Sequence, residues 1–106
     1  MRDGWRGERE KINLSQWPGP VLQLYLGKLT ASQVFAAAAD PDAKKQRNQQ
    51  CEADFYTAED ALLHGHRALA LEGLNAAVDG CPKSFFEYDG AGAELKRLGQ
   101  PAAAGK

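Results

Sequence analysis

The sequence CEADFYTAEDALLHGHRALALEGLNAAVDGCP, residues 51–82, decides the fold that we expect for this chain. Apolar side chains recur at the spacing of one helix face both before and after Gly65. Glycine is the residue that most often ends a helix in the left-handed conformation, and Pro82 blocks continuation of the second segment. The stretch therefore predicts two antiparallel helices that turn at Gly65. The small residues Ala58, Ala70 and Ala77 should let the two helices approach closely, and Leu74 should fill the gap between this hairpin and the next helices.

Start and stop signals predict further helices on both sides of this hairpin. Thr30 with Gln33 forms a capping box, and Ser84 with Glu87 has the same pattern. Asp40 is expected to cap a helix whose first residue is Pro41. Long period-two alternation, which would indicate a strand, is missing from the sequence. We therefore expect an all-α fold of about five helices, at about residues 18–26, 30–39, 41–64, 67–79 and 84–98.

The chain divides into one helical domain with two irregular ends. Residues 1–16 are charged and without a clear period, which predicts a loose leader, whereas residues 99–106 are expected to be a disordered tail. Residues 17–98 form the domain, and residues 85–98 would be a capping helix. The first helix, near 18–26, is apolar nearly all round and is expected to be buried on more than one side.

Composition and charge exclude several classes of function. A net charge of −1 gives no basic footprint for nucleic acid. No apolar run reaches the roughly 20 residues that cross a bilayer, and the start of the sequence lacks the apolar core of a secretory signal. The sequence also has no phosphate-binding glycine loop, no HExxH motif and no serine elbow. We therefore expect no catalytic residues and no cofactor.

Cys51 begins the first helix of the hairpin and Cys81 follows the second, so an antiparallel turn brings them together. A disulfide between them would place the chain in an oxidising compartment such as the periplasm, and two reduced buried thiols would place it in the cytoplasm. His64 and His66 lie at the opposite end of the hairpin. At 1.5 Å per residue they are about 20 Å from the cysteines, which argues against a shared metal site.

Residues 51–84 also resemble a tetratricopeptide (TPR) repeat, a helix hairpin of about 34 residues. Four phrases are more specific: WPGPV at 17–21, LYLGK at 24–28, CEADFY at 51–56, and CP at 81–82 followed by FEY at 86–88 and AELKRL at 93–98. Together they are similar to the C-terminal part of bacterial TPR lipoproteins of the NlpI type. The resemblance implies an adaptor that binds envelope proteins. Because this sequence has neither the upstream repeats nor the lipidated cysteine, the membrane anchor is not implied.

The template predicts where a partner would bind. In a TPR stack the first helix of each hairpin lines the concave side, which would present Glu52, Phe55, Glu59 and Leu62. Two carboxylates and two apolar side chains suit a basic, partly apolar peptide. The alternative is that the long helix at 41–64 packs on the first two helices and buries Phe55 and Leu62.

Two functions therefore stay open. The first is a non-catalytic adaptor that binds a protein or peptide partner at the end of a TPR array. The second is a structural domain that forms homo-oligomers through residues 17–39. In either case Trp5, Trp17 and the apolar first helix are the expected adhesive surface.

Overall fold

The computed structural model describes residues 16–99, and helices are the only regular secondary structure among them. The elements in chain order are α1 (Gly19–Tyr25), α2 (Ala31–Ala37), α3 (Ala43–Leu63), α4 (Arg67–Gly80) and α5 (Phe86–Arg97). The expected all-α fold is confirmed. No helix within residues 16–99 is both long enough and apolar enough to cross a membrane. Residues 1–15 of the predicted leader, which include Trp5, lie outside the described residues, as do residues 100–106 of the predicted tail.

The turn between α3 and α4 lies at Gly65, as predicted. Gly65 has a φ of +79°, which an L side chain rarely adopts. The Gly65 N–H donates to the Leu62 carbonyl at 3.1 Å, and the His66 N–H donates to the Ala61 carbonyl at 2.8 Å. This pair of bonds is the Schellman motif, which satisfies carbonyls at a helix end and reverses the chain.

The two helices of the hairpin approach each other very closely at Gly73. A Cβ atom at Gly73 would lie 2.9 Å from both the Ala58 Cβ and the Asp54 carbonyl oxygen. The four residues predicted to pack the hairpin are all buried, namely Ala58, Ala70, Leu74 and Ala77. The hairpin is therefore held by small residues on α3 against small residues on α4, as the sequence predicts.

Helix α3 lies between two apolar clusters. The first joins α3, α4 and α5, and its fully buried members include Leu74, Ala91 and Leu95. The second joins α1, α2 and α3 through Val21, Val34 and Ala53, among others. A helix covered on two sides has no single apolar stripe. The α3 sequence accordingly shows no single apolar face although it is the central element.

Cys51 and Cys81 are joined by a disulfide, with their Cα atoms 4.9 Å apart. Both residues belong to the cluster shared by α3, α4 and α5, and both are buried. The bond ties the start of the hairpin to its end, opposite the turn at Gly65. The pairing predicted from the hairpin geometry is thus present in the structure.

Two predicted helix starts are wrong. Helix α3 is capped by Asp42, whose side chain accepts from the Lys44 N–H at 3.1 Å, because Asp40 instead accepts from the Asp42 N–H at 2.8 Å in a preceding turn. Helix α5 begins after Phe85, whose side chain makes no capping bond. Ser84 and Glu87 form no capping box, because Phe85 and not Ser84 is the N-cap and Glu87 is only the second helical residue. The Thr30–Gln33 capping box is confirmed.

The expectation that α1 is buried on more than one side is also wrong. Val21 and Leu24 face the core, but Leu22 and Leu26 are 51% and 64% exposed. The helix has two turns and contacts α2 and α3 with one face only. Its other face is an apolar surface open to solvent.

Candidate functional site

A groove of about 570 Å³ lies between α1, α3 and the first turn of α5. The turn before α1 contributes an indole ring, α1 and α3 contribute one phenol each, and α3 and α5 contribute one carboxylate each. We call this surface the aromatic groove; its lining residues are Trp17, Pro18, Val21, Leu22, Tyr25, Glu52, Tyr56 and Glu87.

Hydrogen bonds between different elements hold the aromatic side chains of the groove in place. The Trp17 Nε1–H donates to the Glu52 Oε1 at 2.6 Å. The Tyr56 hydroxyl donates to the Glu87 Oε2 at 3.0 Å, and the Tyr25 hydroxyl donates to the Tyr56 carbonyl at 2.7 Å. Each bond links residues at least 31 positions apart in the chain. The groove is therefore built by tertiary structure, and its rings are oriented before any ligand arrives.

The electrostatic environment of the groove is negative. Its lining contains the two carboxylates Glu52 and Glu87 and no lysine or arginine. Burial, followed by the hydrogen bond and charge of Glu87, raises the pKa of Tyr56 to about 12. Burial, followed by the charges of Glu59 and Asp60, raises the pKa of Tyr25 further still. Both phenols thus stay neutral and act as hydrogen-bond donors at physiological pH.

The four residues predicted to bind a partner do not form one surface. Glu52 lines the aromatic groove. Phe55 is only 6% exposed, and its ring packs edge-on against Tyr56 and Phe86. Leu62 is half-buried on the same helix. Phe55 is therefore buried, as in the alternative that the sequence left open, but it packs against α4 and α5 and not against the first two helices.

Glu59 lies in a separate pocket between α3 and α5, where it is close to Glu94. Its Oε2 is buried and has no hydrogen-bond partner. Burial first, and then the charge of Glu94, raises the pKa of Glu59 to about 7. Arg97, which binds Glu94 at 2.6 Å, lowers the pKa of Glu59 and offsets part of this rise. Glu59 is therefore a group that titrates near neutrality.

A third cavity, of about 350 Å³, lies on the other side of the hairpin between α2, α3 and α4. Asp54, Asp60, Glu72 and His66 contribute its polar groups. Burial raises the pKa of Asp54 to about 6. Within residues 16–99 no three His, Cys, Asp or Glu side chains are placed to hold a metal ion. This cavity has no aromatic walls linked by hydrogen bonds, unlike the aromatic groove.

Sequence reasoning missed Tyr56 and Glu87 among the lining residues, and it did not assemble the others into one groove. It placed Trp17 and the apolar first helix on an adhesive surface, and it chose Glu52, but it did not connect them with Tyr25, Tyr56 and Glu87. The available signal was the position of Tyr56 four residues after Glu52, on the same face of one helix. That signal has no meaning until the packing of α1 on α3 is known.

The fold and this surface define an all-α helical protein with an aromatic groove. Comparison of the chain with protein-family models, with curated proteins and with solved structures found no match.

Proposed function

We propose that this chain is a non-catalytic protein-binding module, and that its aromatic groove holds a segment of another protein. The observation that carries the proposal is an open apolar groove with three ring systems fixed by hydrogen bonds across separate helices. Tryptophan and tyrosine provide large rigid contact areas and dominate the energetics of many interfaces. Pre-oriented side chains lose less conformational entropy when a ligand binds.

The surface beside the groove favours a protein segment over a small molecule. The exposed side chains Leu22 and Tyr25 line the groove, and Leu26 extends the apolar surface one turn further along α1. A peptide with two or three apolar side chains would cover this surface and the groove together. The donors on Trp17 and Tyr56 are already bound to the carboxylates of Glu52 and Glu87. Their rings would therefore bind such a partner by apolar packing and not by hydrogen bonds.

Kinship with TPR proteins is part of this proposal. The hairpin turn at Gly65 and the small residues between α3 and α4 support it. In that case α5 is the capping helix at the end of an array, and the NlpI-type resemblance implies an adaptor in a bacterial envelope. The disulfide supports an oxidising compartment.

Peptide selection with a matched pair of variants tests the proposal. Peptides are selected from a random display library on the full chain, and their affinities are measured by fluorescence polarisation. Leu22→Ser removes an exposed side chain from the groove, and Leu63→Ser removes one that is 75% exposed and lies outside it. We expect Leu22→Ser to weaken binding about tenfold or more, since a buried leucine contributes about 1.5–3 kcal/mol. Leu63→Ser should bind like the wild type. No selected peptide, or equal losses in both variants, would contradict the proposal.

Self-association is the second candidate, favoured by the exposed leucines of α1. Residues 17–39 would then pair with the same segment of a second copy. Sedimentation velocity at several protein concentrations distinguishes the two functions. A mass that rises with concentration and returns to that of the monomer in Leu22→Ser favours self-association, whereas a monomer at all concentrations removes it.

A further inference from the structure

The aromatic groove collects negative charge from two helices and supplies no positive charge to balance it. Glu52 on α3 and Glu87 on α5 both line the cavity, and its lining has no lysine or arginine. Buried or half-buried carboxylates are usually paired, because desolvation without a counter-charge is costly. The groove therefore has the charge pattern of a site for a cation.

Each carboxylate is oriented by an aromatic donor that uses only one of its oxygens. Glu52 accepts the Trp17 Nε1–H on Oε1, and Glu87 accepts the Tyr56 hydroxyl on Oε2. Within residues 16–99 the structure shows no further hydrogen bond to the other oxygen of either carboxylate. An ionised carboxylate accepts on both oxygens, so each retains capacity for a ligand donor.

We infer that an arginine side chain of the partner segment occupies the aromatic groove and anchors the segment there. This assignment rests on the proposed function. The guanidinium is planar, stacks on aromatic faces and donates in a fork that fits carboxylates. Trp17, Tyr25 and Tyr56 supply the aromatic faces, and cations bind such faces favourably. The methylene stem of the arginine lies against the apolar wall at Val21 and Leu22.

Arginine fits this cavity better than lysine for two reasons. An ammonium is strongly hydrated and would lose that hydration among the rings, whereas a guanidinium is weakly hydrated. A guanidinium also has five donors, enough to reach carboxylates on two helices at once. The anchor is thus an arginine flanked by apolar residues, which cover Leu22 and Leu26.

The first test uses a single-residue probe and a neutral isostere. N-acetyl-arginine amide and N-acetyl-citrulline amide have nearly the same shape, but citrulline is uncharged. Each is titrated into the full chain, and the indole N–H resonance of Trp17 is followed by NMR, with Trp5 assigned by mutation. We expect a saturable shift of the Trp17 signal with the arginine probe and no saturable shift with the citrulline probe. Equal shifts with both probes, or none with either, would overturn the arginine assignment.

The second test separates this inference from the proposed function. Every arginine in the selected peptides is replaced by citrulline, and the affinities are compared. We expect a loss of about tenfold, because hydrogen bonds to charged groups contribute about 1.5–3 kcal/mol. Peptides that bind equally well with citrulline, or that contain no arginine, would overturn the arginine anchor while the protein-binding function stands. A failed selection would overturn the function itself.

Isosteric variants of the two carboxylates provide the matched control. We expect Glu52→Gln and Glu87→Gln each to weaken the arginine peptide about five- to tenfold by removing a charge-assisted bond. Asp79→Asn, which removes an exposed carboxylate of α4 outside the groove, should change affinity less than about twofold. Equal effects in all three variants would mean that net charge alone drives binding, which overturns the assignment.

The chain's own basic residues are the competing occupant. Arg2, Arg6 and Arg9 precede the described residues in the sequence. All three are replaced by glutamine in the full chain, and the arginine peptide is titrated again. Unchanged affinity supports a partner's arginine as the anchor. Affinity that rises about fivefold or more would show that residues 1–15 occupy the groove, which overturns assignment of the site to a partner.

Discussion

Replacing Gly73 with alanine should destabilise the protein, although alanine is the better helix former. Gly73 lies inside α4 and faces α3, where a Cβ atom would meet the Ala58 Cβ and the Asp54 carbonyl oxygen at 2.9 Å. Carbon atoms in contact are normally separated by about 3.5–4.0 Å. One of the two obstacles is backbone, so the clash is relieved only when the helices move apart.

Two opposing effects decide the size of the change. Glycine to alanine within a helix stabilises by about 1 kcal/mol, whereas forcing an extra group into a packed core costs about 1–3 kcal/mol. Because the obstacle includes backbone, we take the upper end of that cost and expect a net loss of about 2 kcal/mol in the free energy of unfolding. The control is Gly92→Ala in α5, where a Cβ meets nothing within 4 Å. That variant should gain up to about 1 kcal/mol.

Urea unfolding followed by circular dichroism measures both variants against the wild type. The expected order of stability is Gly92→Ala, then wild type, then Gly73→Ala. A Gly73→Ala protein that is as stable as Gly92→Ala would falsify the close contact between α3 and α4. The hairpin would then have to be looser than described.

Three further predictions concern the disulfide, a buried carboxyl and the helix caps. Cys51 and Cys81 are 30 positions apart, so replacing both with serine should lower the free energy of unfolding by about 3–4 kcal/mol, measured by urea unfolding. A change below about 1 kcal/mol would refute the argument that closing this loop stabilises the fold. Burial and the charge of Glu94 raise the pKa of Glu59 from 4.5 to about 7, so the folded protein holds a proton that the unfolded chain releases. The free energy of unfolding should therefore fall as the pH rises from 4.5 toward 7. Glu59→Gln should flatten this slope, measured as urea midpoints across the same pH range. An unaltered slope in the Glu59→Gln variant would contradict the raised pKa of Glu59. Thr30→Ala should cost about 1 kcal/mol by thermal unfolding, and Ser84→Ala almost nothing, because the Thr30 side chain caps a helix and that of Ser84 does not. Equal costs would restore the rejected second capping box.

The hairpin could be predicted because its signals are local. The glycine at 65, the proline at 82 and the period of the apolar residues between 58 and 77 each act within a few positions of the chain. Local steric rules therefore place the turn and both helix faces. The proximity of Cys51 and Cys81 follows from the same geometry, since the ends of an antiparallel hairpin meet, whereas their redox state does not.

The groove could not be predicted, because it depends on how α1 lies across α3. Helix α3 is covered on two sides, so its sequence does not show which residues remain accessible. Phe55 occupies an outward position of the repeat template, yet α5 covers it. Gly90 of α5 lies so close to the Phe55 ring that a Cβ atom at Gly90 would be 3.0 Å from the ring. The capping box at Ser84 also failed: α5 begins at Phe86, and Glu87 accepts from the Tyr56 hydroxyl of α3. Tertiary contacts overrode local preference at both positions.

The disulfide turns the hairpin into a covalently closed ring. The backbone runs along α3, through Gly65 and back along α4, and the bond between Cys51 and Cys81 joins the two ends. A protease that cuts the exposed corner at residues 63–66 would therefore leave a single molecule, whose fragments migrate separately only after reduction. Both cysteines are buried, which protects this link from solvent reductants, so the two fragments stay covalently joined after the backbone is cut.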